Sequence, residues 1–231
     1  MKNILQTNCE DSKICIAMDD RASPHCIWID GPNIKYARFY SEEWRLAGGQ
    51  SIALSSENAL SVSKHCLGFD DNGNPFFVVL DGEDLILRSW NGVLWTREVI
   101  WENANANDVL TWSACWMGFY MVTVITRNYG AKTIYAVDKS IGSWSSPSGV
   151  LILPQDNLEI ELKTSKVASY VYVFWNGKKD GNSWVEHAIW DTTAKDWVYL
   201  PSKIQMSEIE GDISGIDFSV IDEMESSSSS S

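Results

Sequence analysis

The stretch HCLGFDDNGNPFFVVLDGEDLILRSWNGVLW, residues 65–95, decides the fold. HCLGF (65–69), FFVVLD (76–81) and DLILRSW (84–90) each have the length and composition of a β-strand, and TREVIW (96–101) follows as a fourth. Asp-Asn-Gly and Asn-Gly stand between them, and Asn-Gly favours the positive φ that a tight hairpin needs. FFVVLD is nearly all apolar, as expected of a strand covered on both faces.

The same pattern occurs once before. Residues 14–44, ICIAMDDRASPHCIWIDGPNIKYARFYSEEW, align to residues 65–95 without a gap when shifted by 51. Cys15 falls on Cys66, Asp19 on Asp70, Pro24 on Pro75, Gly31 on Gly82 and Trp44 on Trp95. Two looser copies follow. One runs VLTWSACW (109–116), FYMVTVIT (119–126), TIYAVD (133–138) and Trp144. The other runs LEIELKT (158–164), YVYVFW (170–175), a polar loop at 176–183, WVEHAIW (184–190) and Trp197. The closing tryptophans are spaced by 51, 49 and 53 residues.

A long, fixed period of β-segments signals a repeat architecture. No segment carries sustained helical spacing. The expectation is an all-β, β-propeller-like domain over residues 1–225, with four antiparallel strands per repeat. The blades span about 10–50, 61–104, 107–154 and 157–204. A strand at 3–6 precedes them, a closing strand follows at 213–222, and the serine tail 226–231 is read as disordered. Each closing indole is expected to seal one blade against the next. Closure of the ring is open at this point: the spare strand latches a small propeller, or a second copy of the chain completes a larger one.

The chain has 231 residues, 12 tryptophans and a formal net charge of −13. That charge argues against nucleic acid and against anionic membranes. No apolar run is long enough to span a bilayer, and no signal peptide is read at the N-terminus. The five cysteines have no zinc spacing and no disulfide framework. Cys15 and Cys66 read as small apolar filler, and a reducing cytoplasm is the expected place of synthesis.

The segment DLILRSW-NG-VLW (84–95) resembles the repeats of propeller lectins, especially the fucose-binding family of fungi and bacteria. In that family an Arg on the second strand and a Glu on the third grip the sugar hydroxyls. Counted back from the closing Trp, the Arg position falls here on His25 and Phe76, and the Glu position on Tyr36 and Leu87. Glu186 lies near the Glu position of the fourth repeat. The resemblance implies sugar binding through other side chains than that pair.

No residues gather as a catalytic or metal motif. His25, His65 and His187 lack a second ligand at metal spacing, so neither a metal nor a cofactor is expected. Asp19-Asp20 and Asp70-Asp71 recur at one turn position and read as turn-makers. There is no nucleophile elbow and no phosphate-binding glycine loop. The aromatic surplus therefore points to recognition without catalysis, of a glycan or a protein partner. The candidate contact residues are Trp28, Trp90, Trp101, Trp116, Trp175, Trp184 and Glu186. Two other readings stand beside it: a structural or adaptor subunit of a larger assembly such as a virus particle, and a glycosidase-type propeller enzyme.

Overall fold

A computed structural model describes residues 14–30, 33–46, 52–53, 61–104, 108–128, 131–152, 162–179 and 182–204. The strands expected at 3–6 and 213–222, and the serine tail, lie outside the described residues. The described chain is all β, with no α-helix, and includes a curled, half-barrel-like sheet.

Among the described residues the strands run as four consecutive antiparallel meanders, gathered in three sheets. The first consists of β1 (Ile14–Met18), β2 (Pro24–Asp30), β3 (Asn33–Tyr40) and β4 (Glu43–Leu46), with the short β5 (Ile52–Ala53) pairing with β3. The second is β6 (Ser61–Phe69), β7 (Pro75–Asp81), β8 (Asp84–Trp90) and β9 (Trp95–Trp101). The third is β10 (Val109–Trp116), β11 (Tyr120–Asn128), β12 (Ala131–Asp138) and β13 (Ser148–Ile152). The fourth is β14 (Leu162–Val167), β15 (Tyr170–Lys179), β16 (Asn182–Asp191) and β17 (Asp196–Ile204). Meanders two and three join edge to edge through a parallel contact of β6 with β10, at His65 and Ser113.

The 51-residue offset is kept in the strand pairing of the first two meanders. Met18 faces Pro24 as Phe69 faces Pro75, His25 faces Arg38 as Phe76 faces Ser89, and Phe39 faces Trp44 as Trp90 faces Trp95. The first turns are held by aspartate. Asp19 Oδ1 accepts from the Arg21 and Ser23 amides at 3.0 and 2.7 Å. Asp70 Oδ1 accepts from the Asn72 and Asn74 amides at 2.9 and 2.8 Å. These are Asx-type turns, which satisfy backbone donors that no strand reaches. Residues 176–183, expected to be a polar loop, are largely strand: Asn176 pairs with Val185 and Lys179 with Asn182. A hairpin ladder is a backbone property, so polar side chains continue it wherever they can remain in water.

Burial follows the two-residue period of a strand. In the third meander Val122, Val124 and Val137 pack with the second, while Met121, Ile125, Ile134 and Ala136 pack with the fourth. Every residue of β7 is buried, so the second meander is covered on both faces. The closing indoles fill the spaces between meanders. Trp95 packs on Tyr36 of the first meander with centroids 5.3 Å apart. Trp144 lies against the core shared by the first three meanders. Trp197 packs on the core of meanders three and four, and its Nε1–H donates to the Ser148 carbonyl at 3.3 Å. Trp44 does not seal one meander against another as expected: it packs beside Cys26, Trp28 and Ala37 of its own. Trp112 is fully buried and donates to the Val78 carbonyl at 2.9 Å, tying the third meander to the second. Hydroxyls add to the inner seam: Ser63 bonds Thr111 at 3.2 Å, and Ser113 bonds Thr164 at 3.0 Å.

The β3–β4 hairpin carries strain. Its turn residues Ser41 and Glu42 have φ of 51° and 64°, the left-handed region that L side chains avoid. The matching turn of the second meander begins Asn91-Gly92, with Gly92 at a φ of 94°. Two outcomes follow for urea unfolding. Replacing Ser41-Glu42 by Asn-Gly raises stability by about 1 kcal/mol, because the positive φ no longer strains a Cβ. Trp95→Ala lowers it by about 3 kcal/mol, near the low end for large-to-small changes because the ring is only partly buried.

Candidate functional site

The space between the first and second meanders holds a chain of polar side chains against an aromatic wall. His25 on β2 and Tyr36 on β3 are neighbours on one face, because His25 faces Arg38 and Ile27 faces Tyr36 in the ladder. His25 Nδ1 lies 2.5 Å from the Tyr36 hydroxyl, and its Nε2 lies 3.3 Å from Asp19 Oδ2. A carboxylate only accepts, so Nε2 carries the imidazole proton and Nδ1 accepts the phenolic one. The other wall comes from the second meander. Phe69 meets His25 edge-on at 4.6 Å, and Trp95 meets Tyr36 at 5.3 Å. Trp90 in turn meets Trp95 edge-on at 5.6 Å. Five rings, from Phe69 through His25, Tyr36 and Trp95 to Trp90, thus cross one end of this seam.

The site is nearly dry inside and open at its two ends. His25 and Tyr36 are 4% and 5% exposed, whereas Asp19 and Trp90 are half-buried. Burial holds the His25 imidazole below its ordinary value, against the opposing pull of Asp19. Burial also pushes the Tyr36 phenol well above its ordinary range, so it keeps its proton. Desolvation would raise Asp19, but the Ser23 amide, His25 and the Arg21 amide outweigh it and leave the carboxyl below its usual value. The arrangement can present a carboxylate oxygen, a proton-relaying imidazole and an indole face along one edge.

The other seams differ. Between meanders two and three, Phe76 stands where His25 stands in the first. It meets Tyr120 at 5.1 Å, and Tyr120 meets Trp116 at 4.8 Å. The seam between meanders three and four contains Trp175, whose Nε1–H donates to Glu186 Oε2 at 2.8 Å. Among the described residues, no group of three or more His, Cys, Asp or Glu side chains is placed to hold a metal ion.

The sequence-derived contact residues therefore do not form one site. Trp90 lies in the first seam, Trp116 in the second and Trp175 with Glu186 in the third. Trp101 lies on β9 and meets Tyr135 at 5.2 Å. Trp28 is buried on the opposite face of the first meander, beside Trp44. The Trp184 side chain lies outside the described residues; its backbone pairs with Gly177. Trp28, Trp175 and Glu186 are 5%, 1% and 6% exposed, so they serve the interior and are not contact surface. Glu186 also faces the wrong way for a lectin-type Glu. It packs with Trp175 toward the third meander, and the next residue, His187, occupies the other face and stacks on Phe174 at 6.0 Å. A one-residue shift in register reverses the face of a strand. The residues missed as a site were Asp19, His25 and Tyr36. The signal was present: His25 and Tyr36 fall at the two positions where the lectin pattern has its polar pair.

Acid acts on this seam in one direction. His25 is held below 6.5 and Asp19 below 3.8, so the unfolded chain binds protons more readily than the folded one. Stability is full above pH 6.5, falls as His25 charges, and falls again as Asp19 protonates. The variant His25→Phe with Tyr36→Leu, which copies Phe76 and Leu87 of the second meander, is expected to lose the first of these two declines in thermal melts across about pH 5–7.

No family model matches the sequence, and no curated protein matches it. Solved structures do. An arginine-to-alanine variant of AofleA from Arthrobotrys oligospora matches with a TM-score of 0.54 and 13% identity. The match covers 83% of this chain and 56% of that one, so the chain spans little more than half of that protein's length. An endo-arabinase from Bacteroides thetaiotaomicron matches with a TM-score of 0.49 and 12% identity, over 84% and 81% of the two chains. An α-L-arabinofuranosidase from Podospora anserina, solved with cellotriose, matches with a TM-score of 0.46 and 13% identity, over 84% and 70%. A polysaccharide lyase, Uly1, is also among the similar structures. Several of these similar structures are enzymes by name, which stands against the expectation of a module without catalysis. The likeness is to carbohydrate-related β folds, and not to a fucose lectin specifically.

Proposed function

We propose that the four meanders are propeller blades and that the chain binds or processes a carbohydrate at the seam between the first two. The observation that carries this reading is the run of five rings ending on half-buried Trp90, with the Asp19–His25–Tyr36 chain beside it. Sugar sites combine an aromatic face for the apolar side of a pyranose with fixed polar groups for its hydroxyls. The first seam supplies both, while the second has mainly rings. In this reading an oligosaccharide lies across the rim, one sugar ring on Trp90 and a hydroxyl of another unit donating to Asp19. His25 and Tyr36 then set the orientation of that carboxylate from behind. The architecture supports the reading without choosing between binding and turnover, because a fold hosts many activities and the site decides.

A glycan array followed by tryptophan-fluorescence titration tests it, run alongside a reducing-end assay on arabinan and cello-oligosaccharides. The expected outcome is a saturable fluorescence change with at least one glycan. Trp90→Ala is expected to weaken binding about tenfold or more, near 1.4 kcal/mol, with an unchanged far-ultraviolet spectrum. Silence across the array, together with no new reducing ends, would sink the proposal.

A further inference from the structure

Cys15 and Cys66 occupy the same position in the first two meanders, on the first strand of each. Both are buried, at 2% and 0% exposure, in one apolar cluster. The two side chains lie within hydrogen-bonding reach of each other across the seam. The remaining described cysteines are elsewhere. Cys26 lies on the opposite face of the first meander, and Cys115 is in the third. We propose that Cys15 and Cys66 are a redox-operated staple, closing to a disulfide that fixes the first meander to the second.

The chemistry balances with a low-molecular-weight disulfide such as oxidised glutathione as oxidant. The Cys15 thiolate attacks one glutathione sulfur, breaks the glutathione S–S bond and releases one glutathione thiolate. Cys66 then gives up its proton and attacks Cys15 Sγ, expelling the second glutathione thiolate. Two protein thiols are oxidised to one disulfide, and one glutathione disulfide is reduced to two thiols. The roles follow from the surroundings. The Cys66 thiol draws the Cys15 pKa down against the effect of burial, whereas burial pushes Cys66 well up. Cys15, on the edge strand of its sheet, is placed to attack first, and Cys66, with no exposed surface, to resolve. Access comes from the edge: Ile16 and Met18 on the same strand are 61% and 62% exposed, so the first strand opens to water with little apolar loss.

The staple would shut the seam that holds His25, Tyr36 and Trp95, but its test needs no ligand. The full chain is incubated with oxidised glutathione, the remaining thiols are blocked with N-ethylmaleimide, and the protein is digested for peptide mapping. The expected result is a crosslinked Cys15–Cys66 peptide and a melting midpoint about 5–15 °C higher than in dithiothreitol. Cys26→Ser leaves both effects intact, and Cys15→Ser abolishes both. If Cys15→Ser does not fold, the map of the unaltered chain decides alone. Both thiols blocked by maleimide after incubation in urea low enough to retain the β spectrum would overturn the proposal, as would Cys15 crosslinked to Cys26.

Discussion

Everything in this molecule depends on filling the space between neighbouring meanders at their outer ends. The inner strands come close enough for a parallel backbone contact at His65 and Ser113, and for hydroxyl bonds between Ser63 and Thr111 and between Ser113 and Thr164. Among the described residues the outer strands of successive meanders are not paired with one another. A flat, wide ring at the start of the outer strand can occupy that space. Trp95 does so against Tyr36, and Trp197 does so against the third meander, with its N–H on the Ser148 carbonyl. An indole suits the task because it combines a large apolar area with one donor that can be satisfied at the edge.

The all-β character, the hairpins and the matched pairing of the first two meanders were legible in the sequence because each is a local or periodic signal. Asp19 and Asp70 announce the same turn, and Pro24 and Pro75 start the same strand. What was not legible depends on register and on which face a residue takes. Glu186 sits one residue from the position that shares a face with the sugar-gripping pattern, and one residue is the whole difference on a strand. The tryptophans outside the closing positions have no periodic mark to separate interior from surface. Trp175 is covered because Glu186 accepts its proton, a pairing across a hairpin that composition cannot show. His25 and Tyr36 stand at the two positions of the sugar-gripping pair and form a polar pair of a different kind, which shows only once the strands are paired. The two-residue β5, lying on β3, had no signal at all.

The two clear copies have the same backbone pairing and opposite chemistry at the seam. His25 and Tyr36 in the first correspond to Phe76 and Leu87 in the second. In the second, Phe76 also determines what its own neighbour is: a Cβ on Gly68 would lie 2.5 Å from the Phe76 ring tip. A polar pair needs partners on every buried atom, and Asp19 and Tyr36 supply them to the imidazole. The apolar version needs only volume. One backbone plan thus tolerates either solution, and the choice made in each seam separates a polar interior from an apolar one.

The complete burial of β7 has a further meaning for how the molecule comes apart. A stack whose layers touch only their neighbours behaves as a one-dimensional chain of coupled units, each held by the interfaces on its two sides. The second and third layers each have a packed core on both sides, whereas the first and fourth have one on a single side among the described residues. Fraying therefore starts at the outermost layers and stops at the middle pair, which acts as the anchor from which the stack re-zips.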